Sequence, residues 1–268
     1  MRLSKNKLKK IIESYLREAE TESGQTVNAE KGGKTKTFTW ISTPPAEAAA
    51  TAKKEADMWE SGKSPDGKKQ YKRGYMKESD REAHPVLKKY FESVKPGQYF
   101  HQHPKDGKEG TSWSAAFVTY CMQQADSEAK WDRSINHRAP KQNGYLHLAW
   151  NRRAEIEKNP EKYVGKTVYI AFSGKEIIGN QKSNKHSTIK PEDQLSGEKD
   201  VLTPGDVVGV RQSSGRIHMD IYTGGGQIVG GNVTTPKGKQ TCGYRSISPE
   251  TSDVIKRVEI TGVVNTNT

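Results

Sequence analysis

The sequence predicts an α+β domain, and three observations predict it. Apolar residues recur at helical spacing in the N-terminal half, and short β-type runs separated by glycine turns fill the C-terminal part. The helical patterns also precede the strand patterns, which places helices on an antiparallel sheet and argues against alternating βαβ units. An amphipathic helix and a linker are expected ahead of this domain.

Residues 3–18 place Leu3, Leu8, Ile11, Ile12, Tyr15 and Leu16 on a helical stripe among Lys5, Lys9, Lys10 and Arg17. A short basic amphipathic helix is expected there, suited to a membrane surface, a partner groove or nucleic acid, with docking on its own domain or a frayed terminus as the plain alternative. Leu16-Arg17-Glu18 followed by Ala19 is similar to the Leu-x-Glu|Ala site that removes targeting leaders from head proteins of large tailed phages. Residues 21–37 offer almost nothing to bury and read as a linker, so the expected arm is 1–38 and the expected folded domain is 39–268. The alanine-rich stretch 46–59 follows Pro44-Pro45, as a helix start favours. A second helix is expected at 85–94, where Val86, Leu87, Tyr90 and Phe91 share a face. A third runs from Ser112 or Trp113 to Gln124. Residues 163–172 have β composition, and a polar insertion is expected near 174–200. Strands follow at 206–211, 217–223, 227–229 and 254–264, with Gly224-Gly225-Gly226 as one of the turns between them.

Composition narrows the function classes. The 268 residues carry a formal net charge of +12, a pI near 9.5 and a mean hydropathy of −0.93. No stretch is long and apolar enough to cross a membrane, and no apolar run with a small-residue cleavage site marks a Sec signal peptide. The expectation is therefore synthesis in the cytoplasm, with carriage in a virion or delivery to a target cell envelope. The lysines are scattered over stretches such as 31–36, 63–73 and 179–190 without interleaved aromatics of a nucleic-acid motif, so nucleic acid is not an expected partner. Cys121 and Cys242 are too few for a disulfide scaffold or a thiolate zinc site; one bridge between them stays open, and Cys121 reads as a buried core thiol. His101-x-His103 lacks further ligands at set spacing, and neither a metal nor a cofactor is expected.

Four motifs remain. Trp113-Ser114-Ala115-Ala116-Phe117 opens the third helix, and Pro204-Gly205-Asp206-Val207-Val208 leads into a strand. His218-Met219-Asp220-Ile221-Tyr222 and Gly230-Gly231-Asn232-Val233 follow as a strand pair. In order and spacing they resemble the papain-like cell-wall hydrolases of the NlpC and CHAP kinds. The nearest likeness is to a subgroup of unknown function with a W-S-A-A-F helix start and an H-x-D-I…G-G-N-V strand pair. The resemblance covers about 85–240 and implies a papain-like fold, with a nucleophile at a helix start and a histidine on the second strand of the following sheet. A third polar residue on the next strand would orient the histidine.

The chemistry can also be argued from the residues. A nucleophile at a helix N-terminus meets the positive end of the helix dipole and free N–H groups, which stabilise a developing anion. Ser114 stands there, where the resemblance places cysteine. Serine cannot rest as an ion pair with histidine, so it needs base catalysis during attack. His218 is the candidate base, and Asn232, across adjacent strands, or Asp220, on the same strand face, would fix its tautomer. Cys121, seven positions on and about 10 Å along the helix, cannot take the place of Ser114. Trp113, His137 and Tyr145 are the candidate substrate-binding residues, with packing as the plain alternative for Trp113 and a solvated loop for His137. Asp206 reads as a turn residue. The expected function is an amidase or peptidase acting on peptidoglycan. The alternative is a catalytically inactive papain-like module serving as a virion structural or binding protein.

Overall fold

The structure is a computed structural model, and it describes residues 27–29, 35–43, 45–94, 113–125, 145–174, 202–211, 217–235, 240–247 and 252–266. The described residues form a mixed α+β chain with four α-helices and antiparallel strand pairs. The helices are α1 (Ala46–Glu60), α2 (His84–Val94), α3 (Ser114–Ala125) and α4 (Tyr145–Lys158). The strands are β1 (Val27–Ala29), β2 (Thr35–Ser42), β3 (Thr167–Ser173), β4 (Val207–Arg211), β5 (Ile217–Gly224), β6 (Gln227–Val233), β7 (Thr241–Ser246) and β8 (Ser252–Thr266). The expected N-terminal helix at 3–18, the Glu18-Ala19 step and the polar run 179–200 lie outside the described residues.

The chain divides into two compact units, one from 44–152 and 169–257, the other from 1–43, 153–168 and 258–268. The first holds the α1, α2 and α3 helices and a meander in which β4, β5, β6 and β7 pair in order. Residues 252–255 of β8 pair with β4 on its other side. The α3 helix packs on β5 and β6, and α1 packs on β7 and β5, while both α1 and α2 lie against α3. One apolar core lies between helices and strands, built from Ala52, Ala56, Trp59, Leu87, Tyr90, Phe91, Trp113, Phe117, Cys121 and Met122 on the helices. The strands contribute Val207, Met219, Ile221, Val229, Cys242 and Ile255. Those strand positions alternate with the opposite face because β side chains have a period of two. The turn before β4 is held by glycine: Gly205 has φ +106, and a β-carbon there would lie 2.5 Å from the Pro45 carbonyl oxygen ahead of α1.

The second unit pairs β1 with β2, and β2 with residues 258–266 of β8. Phe38 and Trp40 of β2 are buried, as are Ile156 of α4 and Val258 and Ile260 of β8. The expected linker therefore contains two strand segments. The β-branched and aromatic run Thr35 to Ile41 finds its partner more than 200 residues away, and a linear reading of 21–37 has no access to that pairing.

Candidate active site

Helix α3 starts where the W-S-A-A-F motif predicts. The Trp113 carbonyl accepts the Phe117 N–H at 2.9 Å, so Trp113 caps the helix and Ser114 is its first residue, almost buried at 5% exposure. Trp113 itself is fully buried. Its ring stacks on Trp59 at 5.1 Å and on Tyr90 at 5.8 Å, and its Nε1–H donates to Glu78 Oε2 at 2.7 Å. Burial pushes the Glu78 carboxyl above its ordinary range, and the bond from Trp113 opposes that rise. Trp59 Nε1–H donates to the Tyr90 hydroxyl at 3.1 Å, which in turn donates to buried Glu55. Trp113 has no exposed face and packs at the start of α3. Tyr145 is likewise buried on α4, its hydroxyl against Thr119 Oγ1 of α3. His137, His101 and His103 lie outside the described residues.

His218 and Asp220 come together as their spacing on a strand predicts. Both are buried on β5, with His218 Nε2 3.5 Å from Asp220 Oδ1. The other oxygen, Asp220 Oδ2, accepts Arg245 Nη2 from β7, two strands away. Sequence reasoning missed Arg245, because its meeting with Asp220 depends on the registers Asp220 to Gly230 and Ile228 to Arg245. Among the described residues, the buried atoms His218 Nε2, Asp220 Oδ1 and Arg245 Nε make no hydrogen bond.

The two glycines of Gly230-Gly231 separate these groups. A β-carbon at Gly230 would overlap Asp220 Oδ1, whereas one at Gly231 would overlap the Trp113 ring and approach Phe117. Consecutive strand residues point to opposite faces, so the α3 start lies over one face of β6, and Asp220 with His218 lies over the other. The structure thus brings His218, Asp220 and Arg245 together and does not place Ser114 on their face. No family model, curated protein or solved structure matches this chain.

Asn232 is the extra residue of a bulge between the pairs Gly231 to Cys242 and Val233 to Thr241, and its φ is 59. Asparagine tolerates that left-handed conformation better than most residues, which accounts for it there. Among the described residues no hydrogen bond joins it to His218. Asp206 holds its turn by accepting the Thr203 N–H at 2.8 Å, and it also meets Lys256 Nζ at 2.9 Å with both side chains buried. Cys121 and Cys242 are free and buried, and burial raises both thiols well above their usual range. Among the described residues no three His, Cys, Asp or Glu side chains cluster as metal ligands would, and no helix is long and apolar enough to cross a membrane.

Proposed function

We propose that this chain is a papain-like amide hydrolase of bacterial peptidoglycan, cutting the N-acetylmuramoyl–alanine link or a stem-peptide bond and carried by a phage particle or an injection machine. The observation that carries the reading is the buried His218–Asp220 pair, following in sequence a helix whose first residue is Ser114. His218 serves as the base that takes the nucleophile's proton and returns it to the leaving amine, and Asp220 holds the imidazole at rest, before that transfer. Ser114 attacks the amide carbonyl, and the N–H groups of the first turn of α3 receive the oxyanion. Because Asp220 and α3 occupy opposite faces, this transfer requires the imidazole to leave Asp220 and turn past the start of β5. Exposed Ile217 precedes His218 there. Positive charge suits an envelope rich in anionic polymers.

A second reading, a binding module without turnover, is favoured by that same separation of faces and by the cation that Arg245 places on Asp220. Digestion of purified peptidoglycan separates the two. Wild type is expected to release fragments whose masses name the bond. Ser114→Ala and His218→Ala are each expected to lower the rate by at least about a hundredfold with circular dichroism unchanged, and Ser114→Cys is expected to stay active. Full activity in Ser114→Ala would remove Ser114 from the mechanism, and an inactive, folded wild type would leave the binding module.

A further inference from the structure

The segment 61–82, between α1 and α2, carries seven cations and four carboxylates, and it turns the carboxylates inward and the surplus cations outward. The chain doubles back on itself there. Lys63 bridges Gln70, Tyr71 N–H donates to the Gly62 carbonyl at 2.6 Å, and Ser64 N–H donates to the Lys69 carbonyl at 2.8 Å. All four carboxylates are engaged within the protein. Asp66 closes a turn by accepting from Ser64 Oγ and the Lys68 N–H, and Asp80 accepts from Arg73 and the Lys77 N–H. Glu82 accepts from Lys69 Nζ and the Tyr71 hydroxyl, and Glu78 is buried against Trp113. Among the described residues no carboxylate pairs with Lys63, Lys72, Lys77 or Arg81, of which Lys77 is half-buried and the others are exposed.

Two tyrosine rings hold part of this charge in a row. Lys69 and Arg73 lie over Tyr71 at 5.0 and 4.8 Å, and Arg73 and Lys77 lie over Tyr75 at 5.4 and 5.9 Å, so cation and ring alternate from 69 to 77. A cation already fixed on a ring loses less freedom when an anion meets it. Like charges gathered in one loop also repel, a cost that an anionic partner removes. The rings decide which partner fits. Tyr71 and Tyr75 are 5% and 9% exposed beneath their own cations, so they offer no platform on which a nucleobase could stack. Three of the four outward cations are lysines, and an ammonium meets a phosphate as a point charge without the planar fork of arginine. Phosphodiesters spaced along a flexible backbone without bases match both features.

We infer that segment 61–82 is a docking surface for a phosphodiester polymer, with Lys63, Lys72, Lys77 and Arg81 meeting its phosphates. That the polymer belongs to a cell wall rests on the cell-wall reading. In that setting the surface keeps the chain at the envelope between encounters with its substrate.

The test is calorimetric titration of the full chain with poly(glycerol phosphate) at a series of salt concentrations. Binding is expected to weaken as salt rises, since each phosphate neutralised releases a counterion. Lys63→Gln, Lys72→Gln, Lys77→Gln and Arg81→Gln together are expected to lower the affinity at least about tenfold at low salt and to flatten the salt slope by roughly three. A control with the same loss of charge elsewhere, Lys53→Gln, Lys54→Gln, Lys158→Gln and Lys162→Gln, is expected to keep most of the affinity. Circular dichroism checks the fold of both. Should the first variant unfold, Lys72→Glu, at an exposed side chain, is expected to weaken binding by itself. Absence of binding, or equal losses in the two fourfold variants, would overturn the surface. Tighter binding to single-stranded DNA with the same number of phosphates would overturn the choice of partner. This inference and the hydrolase fail separately. Polymer binding that depends on the four cations, in a chain that releases no fragments, refutes the hydrolase alone, whereas digestion by a chain without affinity for the polymer refutes the surface alone.

Discussion

A methyl group at Gly230 and one at Gly231 would strike different parts of the protein, although the two residues are adjacent. The first overlaps the Asp220 carboxylate, the second the Trp113 ring. The ring is clamped between Trp59 and Tyr90 and cannot yield cheaply, because stacked aromatic pairs in a packed core move only with their neighbours. Gly231→Ala is therefore expected to lose about 1–3 kcal/mol of stability by overpacking. Gly230→Ala is expected to push the carboxylate off its place beside His218 and Arg245. Its main effect should fall on the site: lost peptidoglycan turnover with a smaller drop in melting temperature than Gly231→Ala shows. Thermal unfolding and digestion of both variants check this, and the reverse ranking of stabilities would contradict the assignment of faces. At this scale the sequence was partly legible. His218 and Asp220 could be paired from their spacing of two, and Ser114 could be placed at a helix start from the motif. Arg245 could not be found, since a contact across two strands is set by register. Nor could the side of the sheet be read, because that depends on which face the helices cover.

The elements that were readable are those with strong local periodicity. The expected helices at 46–59 and 85–94 match α1 and α2 closely, and the expected strands 217–223 and 227–229 lie within β5 and β6. The helix α4 escaped notice because Asn151, Arg152 and Arg153 interrupt its apolar stripe, and β7 because Thr241 to Ser246 alternates only small and polar residues with Cys242 and Tyr244. Between the elements, one joint sensitive to pH runs from the stretch before α2 to the start of α3, where Glu78 accepts the Trp113 Nε1–H. Burial holds the folded-state value of Glu78 above its ordinary 4.5. The folded state therefore keeps the proton longer than the unfolded chain, and this contribution to stability, complete below the ordinary value, is lost as pH rises through the raised one. Glu78→Gln retains an acceptor for Trp113 and removes the ionisation. Its melting temperature minus that of wild type is expected to grow from pH 4.5 to pH 8. A difference that is flat, or that shrinks over this range, would show that Glu78 ionises in the fold without penalty.

On the scale of the whole molecule, the hardest feature to read was the division into units, since one of them is assembled from 1–43, 153–168 and 258–268. A sequence read from left to right presents the first of these as an arm, because β1 and β2 pair only with each other until the last strand is reached. The pairing of Thr35–Ser42 with residues 258–266 supplies that partner, and it makes β8 dependent on the start of the chain. Without β2, residues 258–266 would present unpaired N–H and C=O groups along one edge, which invites proteolysis and association. Deleting residues 1–43 is thus expected to leave the Trp59–Trp113 stack and its near-ultraviolet circular dichroism in place, since both residues belong to the other unit. The same deletion should expose 258–266 to rapid cleavage by a nonspecific protease and raise the tendency to aggregate. Mass spectrometry of the digestion products locates the cuts. Protection of 258–266 in the truncated chain would mean that β8 is held without β2. Loss of the aromatic signal would mean instead that the two units fold only together, because a core independent of residues 1–43 keeps its stacked rings when those residues are gone.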